Sequence, residues 1–249
     1  DGNQTMMVNN SLKYLSESLV SEEIATVRFD KRGVRNSKQD DFSEQDIRIE
    51  DFADDVKNIV NFYKNMGYKR IFLIGHSEGS LISLIALQDV KVSGIISIAG
   101  PGSNISEILK EQLQPKLPDA MFEQVSSMID SLKDGYTLKN VPQAYYALFR
   151  PSVQPFLKSM FQYEPRDLIQ RISGEILVIN GTKDIQVDLK EAKKLVKANN
   201  KAQLVEIDGM NHVLKNVEGG IQENIATYNN PNLPVKEELI DAMVNFIKD

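Results

Sequence analysis

Apolar positions along this chain recur at two spacings, and the spacings alternate. Leu12, Leu15 and Leu19 lie one helical turn apart within Asn10–Val20, which predicts a helix. Ile24–Phe29 is a short run rich in β-branched residues, stopped by Asp30, Lys31, Arg32 and Gly33, and reads as a strand. Phe52, Val56, Ile59, Val60 and Tyr63 mark one face of a helix over Ile49–Met66, with Gly67 placed to end it. Arg70–Ile74 and Gly94–Ala99 are nearly unbroken apolar runs, the pattern of parallel strands covered on both faces, and Leu81–Val90 between them is an apolar helix.

From Pro101 to Arg171 the rhythm is helical throughout, cut into short pieces by prolines at 115, 118, 142, 151, 155 and 165. Alternation then resumes, with a strand at Glu175–Asn180, a helix at Asp188–Ala198, a strand at Ala202–Ile207 and a closing helix at Val235–Ile247. Strand–helix alternation of this kind implies right-handed crossovers and a mostly parallel central sheet flanked by helices. The expected organisation is a core from residues 1–100 and 172–249, with residues 101–171 inserted as a helical lid.

Composition narrows the function classes. The 249 residues, 41% of them hydrophobic, are enough for one folding unit with a sizeable core. A net charge of -6 argues against nucleic acid as a partner, because phosphate recognition needs a basic face. With no cysteine, disulfides, zinc–thiolate sites and thiol nucleophiles are excluded. That absence also tips the compartment toward export, although many cytosolic chains share it. No run reaches the roughly 18–20 apolar residues of a membrane span, and no signal peptide is visible.

The chemistry-bearing segment is Gly75-His76-Ser77-Glu78-Gly79, a G-x-S-x-G pattern with a strand before it and a helix after it. That context turns a weak pattern into a nucleophile elbow, with the Ser77 hydroxyl raised on a strained turn and the Glu78 N–H at a helix N-terminus as one oxyanion donor. A serine needs a base to act near neutral pH, and the chain has two histidines. His76, beside the serine, points elsewhere and reads as structural. His212 lies in the loop after Ala202–Ile207, at the end of a parallel strand where such sheets carry their sites. The orienting acid belongs between serine and histidine in chain order, and Asp184, following Glu175–Asn180, fits. Asp188 and Asp208 are rivals, read as a helix cap and a turn former respectively.

Four motifs, Arg28–Gly33, the elbow, Asn180–Val187 and Gly209–His212, together resemble bacterial α/β-hydrolases of the serine aminopeptidase-like or lysophospholipase-like branch. The resemblance implies the α/β-hydrolase fold, no metal or other cofactor, and a small-molecule ester substrate of small to medium acyl size cleaved through an acyl-serine intermediate. An aminopeptidase is the alternative, with Glu78 and Glu164 as candidate amine binders, and a silent binding protein is a third reading. It also implies that Ile24–Phe29 is the fourth strand of the fold. On that reading the third strand, with the second oxyanion donor, lies upstream of Asp1. One departure is Arg35, standing where the branch usually has a second glycine. In the lid, Tyr145, Tyr146 and Phe149 are the candidate substrate-facing aromatics, although most such residues are expected to pack the lid onto the sheet.

Overall fold

The computed structural model describes residues 1–4, 8–38 and 42–249. Four parallel strands form its sheet in the order β1 (Phe72–His76), β2 (Gly94–Ile98), β3 (Glu175–Gly181) and β4 (Ala202–Ile207). Every connection between neighbours is a crossover carrying helix, as parallel pairing demands.

Strand periodicity sorts the core into two halves. Ile95, Ile176 and Val178 face one side of the sheet, where α2 (Ile49–Asn65), α3 (Glu78–Ala86) and α9 (Leu189–Ala198) pack. Ile96, Ile98, Leu177 and Ile179 face the other, covered by α1 (Ser11–Ser21) and α11 (Glu237–Lys248). Helix α3 is apolar nearly all round and is enclosed, with Leu81, Leu84 and Ala86 fully buried. It holds the elbow against a rigid support.

Local sequence explains the boundaries. The Arg48 N–H donates to Asp51 Oδ2 at 2.7 Å where α2 begins, and Gly67 follows its end at φ 96°. Asp188 Oδ1 accepts from the Lys190 N–H at 2.8 Å, so Asp188 caps α9, as its position implied. Between β2 and β3 the chain forms α4 (Ile105–Leu113), α5 (Asp119–Lys133), α6 (Tyr146–Phe149), α7 (Gln154–Met160) and α8 (Pro165–Gln170). Pro118, Pro155 and Pro165 sit at helix starts, where a missing N–H costs nothing. These helices do not pack as a separate body. Val125, Ile129, Leu132, Phe149 and Phe161 belong to the same buried cluster as Leu81 and Ile95.

Two expectations are corrected, and one element is new. Ile24–Phe29 forms no strand and has no regular secondary structure, with Val27 and Phe29 exposed. A β-branched run favours a ladder only where a second backbone lies alongside, and among the described residues none pairs with it or with the outer edge of β1. The first strand spans Phe72–His76 rather than Arg70–Ile74, because its ladder starts where Phe72 meets Gly94, while Arg70 turns its guanidinium to the Ile247 carbonyl at 2.6 Å. A short helix α10 (Ile221–Thr227) was not anticipated. No helix among the described residues is long and apolar enough to cross a membrane.

Candidate active site

Ser77 sits between the last residue of β1 and the first of α3, with φ 54° and ψ −121°. A positive φ at a non-glycine residue is strained, and the flanking structure enforces it here. The Ser77 N–H donates to the Ile98 carbonyl at 2.9 Å, which continues the sheet, and the Ser77 carbonyl accepts from the Ser80 N–H at 2.9 Å, which opens the helix. A side chain at Gly75 would meet Gly79 O at 2.5 Å and Ser80 Cα at 2.6 Å, so only glycine allows this turn. Gly79 faces open space, so the second glycine of the motif is not required by crowding. As the first residue of α3, Glu78 has an N–H without an intrahelical acceptor, and it lies where the helix dipole is positive. The Glu78 carboxylate pairs with Lys31, whose ammonium also lies 5.1 Å from the Phe52 ring.

Asp184 and His212 come from the loops after β3 and β4. These neighbouring strands bring the loops together, and the Lys183 N–H donates to the Met210 carbonyl at 3.0 Å. A side chain at Gly181 would collide with that same carbonyl, which is why the acid loop starts with glycine. His212 Nδ1 lies 2.8 Å from Asp184 Oδ2, with the two side chains 6% and 1% exposed. The other carboxylate oxygen, Oδ1, accepts the N–H groups of Gln186 and Val187 at 2.8 and 2.9 Å. The carboxylate is thus held on both oxygens and orients the imidazole with Nδ1–H as donor, which leaves Nε2 as the ring nitrogen carrying the lone pair. No hydrogen bond joins Nε2 to Ser77 Oγ in this structure, a contact that in unliganded sites commonly tightens only with substrate bound.

The rivals are placed elsewhere. Asp188 caps α9 and Asp208 accepts from the Thr182 hydroxyl at 2.8 Å. His76 is structural in its contacts: its Nε2 is 2.8 Å from the His212 carbonyl oxygen and its Nδ1 is 3.2 Å from Gln4 Nε2. Desolvation, then the neighbouring His212, pushes the His76 pKa down to about 3, so this ring is neutral across the working range. Of the three candidate aromatics, Phe149 is fully buried and Tyr145 nearly so, while Tyr146 is exposed. Arg35 pairs with Asp1 at 2.7 Å. Sequence reasoning missed Asn211, Asn224 and Lys215, which surround the histidine loop. Asn211 was within the Gly209–His212 motif; the other two carry no motif signal.

A serine on a strained strand-to-helix turn, facing a parallel sheet whose later loops supply a paired histidine and aspartate, defines an α/β-hydrolase. The chain belongs to the serine aminopeptidase S33 family, whose profile matches residues 9–216. Esterase EstD of Thermotoga maritima is 23% identical over 223 residues, 88% of this chain and 53% of that protein, so the chain spans about half the length of the curated relative it matches. A thermophilic esterase from Thermogutta terrifontis superposes with a TM-score of 0.59 at 16% identity, over 96% of this chain and 85% of that one. A bromoperoxidase from Bacillus anthracis does so at 0.56 and 16%, over 97% and 88%. Two activities on one backbone mean that the shared fold does not choose between them.

Proposed function

We propose that the protein is a serine hydrolase cleaving carboxylic esters of small to medium acyl size through an acyl-serine intermediate, with Ser77 as nucleophile, His212 as general base and Asp184 as its orienting acid. The observation that carries this reading is the buried Asp184–His212 pair, 2.8 Å apart, on the same sheet end as the strained Ser77 turn. His212 Nε2 takes the Ser77 proton as the oxygen attacks the ester carbonyl. The Glu78 N–H holds the oxyanion, and one such donor is worth on the order of 10²–10³ in rate. The imidazolium, stabilised by Asp184, then protonates the leaving alcohol, and water enters by the same route to release the acid.

The small acyl range follows from what the helical block, read as a lid, has left to offer. Tyr145, Phe149 and Phe161 are consumed in packing, which leaves Tyr146 as the exposed member of the candidate group. An aminopeptidase needs a free carboxylate for the substrate amine, and the two candidates are each paired with a cation, Glu78 with Lys31 and Glu164 with Arg166. The ester reading is the better supported.

The test is turnover of short-chain p-nitrophenyl esters, run beside aminoacyl anilides, for the wild type and Ser77→Ala. Ester turnover that disappears in the variant, with Ser77 labelled by a fluorophosphonate in the wild type, is the expected result. Ester turnover that survives Ser77→Ala removes the mechanism, and faster turnover of long-chain esters or anilides removes the substrate assignment.

A further inference from the structure

Helix α10 lies against both loops that supply the candidate acid and base, and one of its side chains touches both. Asn224 is 3% exposed. Its Nδ2 donates to the carbonyl oxygen of Lys183, the residue before Asp184, at 2.7 Å. Its Oδ1 accepts from Nδ2 of Asn211, the residue before His212, at 3.0 Å. Backbone groups at the two ends of this chain of bonds fix the orientation of both amides. A carbonyl can only accept, so Asn224 must turn its nitrogen to Lys183 and its oxygen to Asn211. At the far end the Lys215 N–H can only donate, and it meets Asn211 Oδ1 at 3.0 Å, which turns the Asn211 nitrogen back toward Asn224. The two assignments agree without adjustment. The second Asn211 Nδ2 proton goes to Thr227 Oγ1 at 2.7 Å, and that hydroxyl donates onward to the Asn224 carbonyl at 2.7 Å. The Asn211 N–H reaches Lys215 O at 3.0 Å, so His212 is held inside a closed loop.

We propose that Asn224 is a positioning residue that sets the Asp184–His212 geometry by bridging the residues immediately before each of them. The inference rests on the triad reading given above. Burial makes the bridge effective, since neither amide has water to replace a lost partner. Asn224 touches no reacting atom. It holds two backbone segments so that the Nδ1–Oδ2 bond stays short while the imidazole changes charge. Without it the histidine loop can shift relative to the acid, the imidazolium loses support, and the base becomes less basic.

The experiment compares Asn224→Ala with Thr227→Val in the full chain. The valine variant removes the Thr227 hydroxyl's bonds to Asn211 Nδ2 and to the Asn224 backbone carbonyl but leaves both side-chain arms of Asn224 intact, so it serves as a control for lost stability. Steady-state kinetics on p-nitrophenyl acetate are measured across pH, with thermal denaturation of each variant. Asn224→Ala is expected to lower kcat about 10- to 100-fold with KM unchanged, the scale of a misplacement near 1 Å. It should also move the acid limb of kcat/KM to lower pH, because a weakened Asp184 contact destabilises the imidazolium. Thr227→Val should show a comparable fall in Tm with kcat near the wild-type value. Fluorophosphonate labelling of the wild type is read alongside. Unlabelled Ser77 overturns the triad reading and this inference with it. Labelled Ser77, with Asn224→Ala unchanged in kcat and in acid limb, overturns the bridge alone, as does a kcat loss that merely follows Tm in both variants.

Discussion

His76 Nε2 lies 2.8 Å from the backbone carbonyl oxygen of His212, and the two imidazole centroids are 4.8 Å apart. The strand that carries the elbow is thereby tied to the loop that carries the candidate base. The neutral ring with its proton on Nε2 satisfies both partners, donating to His212 O and accepting at Nδ1 from the Gln4 amide.

That neutrality has a consequence for acid stability. Burial and the facing His212 push the His76 pKa from 6.5 down to about 3, so between those values the unfolded chain binds a proton that the folded chain refuses. Stability contributed by His76 is full above pH about 6.5 and is lost as pH falls toward 3, by at most about 1.4 kcal/mol per pH unit. Urea denaturation of the wild type and His76→Asn from pH 7 to 4 measures it. The wild type should lose stability the more steeply, and parallel curves would refute the claim.

The two elbow glycines should respond differently to a methyl group. Gly75→Ala forces Cβ to within 2.5 Å of Gly79 O, a backbone atom that cannot rotate away. We expect a loss of about 1–3 kcal/mol, the usual cost of overpacking. Gly79 faces open space in helix α3, so Gly79→Ala should raise stability by up to about 1 kcal/mol. Chemical denaturation of the pair decides it, and equal effects would show that the turn relaxes more easily than its contacts imply.

Asp184 and Asp208 lie on adjacent loops but should not be interchangeable. Asp184 accepts two backbone N–H groups and the His212 ring, whereas Asp208 accepts a threonine hydroxyl at the surface. Asp184→Asn removes the charge that steadies the imidazolium and should lower kcat by on the order of 10⁴, the scale known for an aspartate-to-asparagine change in a serine–histidine–aspartate triad. Asp208→Asn should leave kcat near the wild-type value. Steady-state ester kinetics on both variants test the assignment, and a larger loss in Asp208→Asn would exchange the two roles.

What could be read from the sequence was whatever depends on local pattern. Buried parallel strands leave apolar runs such as Ile95, Ile96 and Ile98, and a strained elbow leaves glycine at position 75 because nothing else fits. The chain order of the candidate residues Ser77, Asp184 and His212 follows the order of the strands that carry their loops, so the sequence offers it directly. The misses share a different cause. Ile24–Phe29 has the residues of a strand, but a ladder needs a neighbouring backbone that composition does not reveal. Asn224 is invisible because its partners are the main-chain carbonyl of Lys183 and another asparagine, groups that many residues offer, and the helix that carries it is only seven residues long. Tyr145 and Phe149 had the composition of a ligand pocket, yet their burial is decided by how the helices meet.

Lys215 carries the remaining prediction. Its side chain is fully buried three positions beyond His212, its ammonium donates to the Leu233 carbonyl at 2.6 Å, and the Tyr14 ring lies 5.0 Å away. No carboxylate among the described residues forms an ion pair with it, and desolvation pushes its pKa from 10.5 down to about 8. The folded chain therefore releases this proton near pH 8 while the unfolded chain keeps it to about 10.5. Wherever the unfolded state binds more protons, stability rises with pH, so the cost of burying the charge is present in full below pH about 8 and fades as pH rises toward 10.5. Lys215→Met removes the charge and keeps the length of the stem, although it leaves the Leu233 carbonyl without its donor. Tyrosines titrate in the same range, so the difference between the two proteins is the quantity to follow. Stability of the wild type relative to Lys215→Met, taken from urea denaturation at pH 7, 8, 9 and 10, should increase steadily over the upper three points. A difference that stays flat would mean that the ammonium is as comfortable inside the fold as in water, held by the carbonyl and the aromatic face alone.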